Sequence, residues 1–96
     1  MNSLTSFFEK RNLNQNQIDQ LEMFDVTLLL LDYSFDGDFI RSLNIRKNNV
    51  YECSAYRDLS NTEPVYTLVD HKTNEMYGYM PQDEAIKTII TILNEF

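Results

Sequence analysis

The sequence predicts an α+β domain: N-terminal helices, an antiparallel meander of three to five strands, and a closing amphipathic helix. Three observations predict it. Two β-rich runs flank a polar four-residue break between Val65 and Met80. A stripe of apolar residues recurs at spacings of three and four after Pro81. Helical and strand-like segments are grouped along the chain instead of alternating as βαβ units, which favours an antiparallel sheet. At 96 residues with 43% hydrophobic content, the chain reads as one domain over residues 1–96, too apolar for disorder.

Taken in order, Ser3 can cap a short first helix over Leu4–Arg11, with Leu4, Phe7 and Phe8 on its apolar side. Asn12-Leu13-Asn14 breaks it, and Asn14 is placed to cap a second helix carrying Ile18, Leu21 and Phe24. The middle supports two readings equally. In one, the second helix runs on to Phe35, and Leu21, Phe24, Leu28, Leu31 and Phe35 form its stripe. In the other, Val26–Phe35 is a strand that turns at Asp36-Gly37 into Asp38–Arg46, because Asp-Gly between apolar runs favours a two-residue hairpin. That register sets Asp32 opposite Arg41 and Leu30 opposite Leu43. A short helix over Phe39–Leu43 is a further possibility.

Arg46–Asn49 reads as a turn, and Val50–Arg57 as a strand. On this strand Tyr51, Cys53 and Ala55 point one way, and Val50, Glu52, Ser54 and Tyr56 the other. Asp58–Glu63 is a polar loop leading to Pro64, which suits the first position of a strand. Val65–Asp70 and Glu75–Met80 form a hairpin around His71–Asn74. Asn74 tolerates the left-handed backbone such a loop needs, and Asp70 can accept from loop amides. Pairing Val69 with Met76 puts Val65, Thr67, Val69, Met76, Gly78 and Met80 on one face and Tyr66, Leu68, Tyr77 and Tyr79 on the other. Pro81 then opens the last helix, with Asp83 and Glu84 in its first turn and Ile86, Ile89, Ile90, Leu93 and Phe96 on its apolar side.

The net charge is −7 and the isoelectric point is near 4.4. Direct binding to nucleic acid or to an anionic membrane needs clustered Lys and Arg, which this balance lacks. The longest apolar run, Leu28–Leu31, is far too short to cross a bilayer, and the N-terminus lacks a secretory pattern. A lone Cys53 fits a reducing compartment, so a cytoplasmic protein is expected, in the host cytoplasm if virus-encoded.

Catalytic signals are sparse. His71 falls in a predicted loop and Cys53 in mid-strand, with nothing to bring them together. Asp36-Gly37-Asp38 lacks the ligand spacing of a calcium loop. There is no glycine-rich phosphate loop. No catalytic residue, cofactor or metal is therefore expected.

The charge distribution is more informative. No Lys, Arg or His lies between Arg11 and Arg41, while Asp19, Glu22, Asp25, Asp32, Asp36 and Asp38 do. A solvated helix face explains such a run. So does a negative surface that docks on a basic groove. Small acidic proteins, many virus-encoded, can imitate nucleic acid by spacing carboxylates like phosphates, and a polyanion site attracts both. The expected function is a non-enzymatic inhibitor that occupies the basic surface of a nucleic-acid-binding or nucleic-acid-cleaving protein, of the anti-restriction or anti-CRISPR kind. Its contact residues are Glu22, Asp25, Asp32, Tyr33, Asp36 and Asp38. The alternative is a small structural or regulatory subunit that self-associates, as a homodimer for example, through the sheet face of Tyr66, Leu68, Tyr77 and Tyr79.

Overall fold

A computed structural model describes residues 4–59 and 63–95. Ser3 as a cap, Phe96 as the end of the helical stripe and the direction of the Tyr51 side chain lie outside what is described. The fold is α+β, with five antiparallel strands in one sheet, short N-terminal helices and a C-terminal helix. Spatial order repeats chain order: β1 (Thr27–Phe35), β2 (Asp38–Lys47), β3 (Val50–Asp58), β4 (Tyr66–Asp70) and β5 (Glu75–Met80). Among the described residues no helix is long and apolar enough to cross a membrane.

The hairpin reading of the middle is the one that forms. Helix α2 (Gln15–Glu22) starts on an Asn14–Gln17 capping box and stops at Met23 instead of running on to Phe35. Asp36 and Gly37 both take positive φ, 51° and 86°, the backbone of a two-residue hairpin turn. The β1–β2 register sets Asp32 against Arg41 and Leu30 against Leu43. Asn48 and Asn49, at φ 54° and 65°, repeat the same turn chemistry between β2 and β3. Residues 39–43 are strand, not helix.

The first helix is shorter than the sequence predicts. Helix α1 covers only Leu4–Phe7, and a 3₁₀ turn follows at Lys10–Asn12. Phe7 and Phe8, on either side of the end of α1, are both buried. Their rings meet each other at 5.2 Å and Tyr66 at 5.7 and 5.5 Å. At Glu9 the backbone turns to another partner. Its N–H donates to Gln82 Oε1 at 2.9 Å, and its carbonyl accepts from Gln82 Nε2 at 3.0 Å.

Helix α3 spans Gln82–Asn94, with Pro81 as its N-cap and not its first helical residue. Ala85, Ile86, Ile89, Ile92 and Leu93 pack into the core with Leu43, Ile45, Cys53, Ala55 and Leu68. At its far end Lys47 Nζ donates to the Leu93 carbonyl at 3.1 Å, placing a cation at the negative end of the helix dipole. All the helices that close this core lie on one side of the sheet.

One face assignment in the last hairpin is corrected. Val69 does pair with Met76, but the register shifts between Tyr66 and Leu68. A bulge at Gly78-Tyr79, with Tyr79 at φ 52°, takes up the extra residue. Met80 therefore lies opposite Tyr66 on the helix side, and Tyr79 swings to the other face.

Candidate functional site: the uncovered sheet face

The side of the sheet away from the helices is assembled by register. One row crosses all five strands as Leu29, Asn44, Ser54, Val69 and Met76. The next runs Leu31, Ser42, Tyr56 and Thr67, and a third Tyr33, Ile40 and Asp58. Phe35 and Asp38 close the hairpin end. Large apolar groups on this face stay in solvent: Leu31 is 50% exposed, Phe35 70%, Met76 71% and Tyr79 88%. Burying such side chains against a partner is favourable by roughly 25 cal/mol per Å², and Leu29, Leu31, Tyr33 and Phe35 line up along β1 as an exposed apolar strip.

The predicted acidic residues are not brought together. Glu22 ends α2 and Asp25 lies in the connection to β1, whereas Asp36 and Asp38 sit at the opposite hairpin tip. The nine residues of β1 separate the two groups by about 30 Å. Asp32, midway, is engaged within the chain. Arg41 Nε and Nη2 donate to its two oxygens at 2.8 and 3.0 Å. That hydrogen bond holds the Asp32 carboxyl below its ordinary pKa and raises that of Arg41. The long helix that would have carried Glu22, Asp25 and Asp32 does not form, so these acids share no helix face.

The predicted tyrosine face is also corrected. Tyr66 and Leu68 are fully buried beneath the helices, so that side of the sheet is core. Tyr66 Oη donates to Gln82 Oε1 at 2.6 Å, and burial raises its pKa. Tyr77 packs at the edge of the same core and donates to Glu75 Oε2 at 2.8 Å, a bond to an anion that raises the phenol's pKa. Of the four, Tyr79 alone reaches the open face.

At the hairpin end of that face lies a depression of about 330 Å³, lined by Asp38, Ile40, Tyr56, Asp58, Thr67 and Tyr79. Asp58 pairs opposite Ile40, which makes Asp38 its diagonal neighbour, about 7–8 Å away. Two carboxylates on a floor with two tyrosines suit a cationic side chain, by charge-assisted hydrogen bonds and by the negative faces of the rings. Asp58 and Tyr56 were not among the residues predicted for the site. Alternation along β3 already put Tyr56 opposite Cys53 and Ala55; extending the strand one residue past Arg57 would have added Asp58.

A Ser–His contact lies nearer the centre of the face. Ser54 Oγ is 2.6 Å from His71 Nε2 and 2.6 Å from Asn44 Oδ1. A carbonyl oxygen only accepts, so the Ser54 proton goes to Asn44 and His71 donates its own N–H to Oγ. A histidine in that role does not deprotonate the serine, and Ser54 is 2% exposed. Its role is to tie the β4–β5 loop to the sheet, alongside the His71 N–H bond to the Glu52 carbonyl at 3.1 Å.

No family model, curated protein or solved structure matches the chain.

Proposed function

We propose that this chain is a small acidic binding protein that acts by occupying a partner's surface, and that it docks through the open sheet face at the hairpin end. The observation that carries the reading is the depression between Asp38 and Asp58, walled by Tyr56 and Tyr79 and continuous with exposed Phe35 and Leu31. Such a surface receives a lysine or arginine while the apolar strip beside it covers the partner's own apolar contact. The partner that fits is a protein with a basic surface, of the kind that binds or cuts nucleic acid, and the chain inhibits it by standing where the nucleic acid would lie. The acidic balance steers the approach. Asp38, expected from the sequence as a contact residue, keeps that part, and Asp58 joins it.

The test uses the tagged chain in a nuclease-treated bacterial lysate, with Asp38→Lys and Tyr79→Ala variants beside it. Both side chains are exposed, so both variants should fold. The wild type should retain a nucleic-acid enzyme that is released as salt rises, and adding the chain should slow that enzyme's cleavage or binding. Asp38→Lys should lose it, and Tyr79→Ala should retain several-fold less. Equal capture by all three folded proteins would overturn the reading.

A further inference from the structure

The two edges of the sheet are built differently. Strand β5 is six residues long, ends in the Gly78-Tyr79 bulge and runs into Pro81. These devices stop another strand from adding to it. Strand β1, at the other edge, has none. It runs nine residues, Thr-Leu-Leu-Leu-Leu-Asp-Tyr-Ser-Phe, without Gly, Pro, Lys or a bulge, and all but Leu28 are exposed. The most apolar run in the sequence thus forms the least covered strand.

The hairpin turn fixes which of its backbone groups point outward. In a two-residue hairpin the residues flanking the turn, here Phe35 and Asp38, form a hydrogen-bonded pair, and pairs alternate from there. Phe35, Tyr33, Leu31 and Leu29 therefore bond to β2. Two bonds agree with this. Ser42 Oγ reaches the Leu31 carbonyl from β2 at 3.4 Å, and the Phe39 carbonyl faces away from β1 to accept from Leu59 N–H at 2.8 Å. The N–H and C=O groups of Leu28, Leu30, Asp32 and Ser34 are left pointing off the sheet.

We infer that β1 pairs antiparallel with β1 of a second copy, joining two sheets into one of ten strands about a twofold axis at Leu31. Only that register overlaps the whole strand. It sets Leu30 of one copy against Asp32 of the other and Leu28 against Ser34, all outward-bonding positions. Each such pair exchanges two hydrogen bonds, about eight in all. Leu31 meets Leu31, and Leu29 meets Tyr33, at the closely spaced positions. Asp32, the strand's only charge, faces a leucine, and Arg41 holds it within its own copy. The same surface on both partners is what a twofold contact requires. An edge about 30 Å long and one sheet thick buries on the order of 800 Å² in total, below the roughly 1,200 Å² of a standard interface. The dimer is therefore weak and concentration-dependent. It is made by the backbone edge of β1, whereas the proposed partner site is centred on the depression in the face, and the two share the side chains of Leu31 and Phe35.

Sedimentation equilibrium of the full chain, with substituted variants, tests this. The mass should climb from 11.4 kDa toward twice that as concentration rises past the micromolar range. Under mild oxidation Leu31→Cys should cross-link to itself, because facing side chains there come within disulfide reach. Leu29→Cys should not, but should cross-link to Tyr33→Cys when the two are mixed. The native Cys53 is buried and takes no part. Leu30→Pro, which removes an outward N–H and leaves the β1–β2 ladder whole, should give a monomer; Met76→Lys, across the sheet, should not. If Leu30→Pro fails to fold, the cross-linking pattern decides alone. A monomer at every concentration, or a dimer that survives Leu30→Pro or is lost in Met76→Lys, would overturn the inference.

Discussion

Cys53 lies fully buried between the sheet and the helix layer, and burial, with the Asp70 carboxylate behind it, pushes its thiol from 9.0 to about 12. The native fold therefore keeps a proton that the unfolded chain gives up near pH 9. Its share of stability is complete below pH 9 and is lost as pH rises toward 12, by no more than about 1.4 kcal/mol per pH unit. Urea melts between pH 8 and 10.5 should fall less steeply for Cys53→Ala than for wild type, and an alkylating reagent should leave native Cys53 untouched at pH 8. Parallel slopes, or rapid native alkylation, would contradict the burial. Strand alternation already put Cys53 on the same face as Ala55, which the helices cover. The same level of reading set Asp32 against Arg41 through the hairpin register, yet also kept Asp32 as a docking charge. Those two expectations compete for one carboxylate, and the bidentate pair takes it. Sequence gives residue types; it does not give which charges are already occupied.

At the scale of elements, turn chemistry was the most legible signal. Asp36-Gly37, Asn48-Asn49 and Asn74 each supply the positive φ their turns need. The leucines of β1 left helix and strand equally open because an apolar run with acids at intervals satisfies helical spacing as well as a strand does. The Tyr79 bulge was not legible, since a one-residue slip leaves the residue types unchanged while exchanging their faces. Nor was the role of Gln82. Its side chain accepts from Tyr66 Oη and Glu9 N–H and donates to the Glu9 carbonyl, joining the N-terminal segment to the start of α3. Arg57 reinforces the joint, donating to the Phe7 carbonyl and to Glu9 Oε2, both at 3.1 Å. Gln82→Ala leaves three groups, the buried Tyr66 hydroxyl and the part-buried backbone N–H and carbonyl of Glu9, without this partner and should cost about 2–3 kcal/mol in urea unfolding. A loss under about 0.5 kcal/mol would mean that the joint re-forms without it.

For the molecule as a whole, the acidic balance acts on stability as well as recognition. Fifteen acids against eight Lys and Arg leave a net repulsion that salt screens. Raising salt from about 0.02 to about 0.5 M should lift the melting temperature by a few degrees. A fall would mean that the pairs Asp32–Arg41 and Glu9–Arg57 outweigh the repulsion. The α+β architecture was legible because grouped helices and neighbouring strands leave few alternatives. The site was less so, because it depends on which side of the sheet the helices leave bare. The meander has one more effect, on the ribosome. Each strand can pair with the strand synthesised just before it, so the sheet assembles as it emerges. Its core face, however, finds most of its cover only in α3, which follows all five strands. A growing chain that has β1 through β5 but not yet α3 displays Leu43, Ile45, Ala55 and Leu68 on one side and Leu29, Leu31 and Phe35 on the other. For that interval it is a two-sided sticky sheet, and a holding chaperone would have its strongest claim on it then.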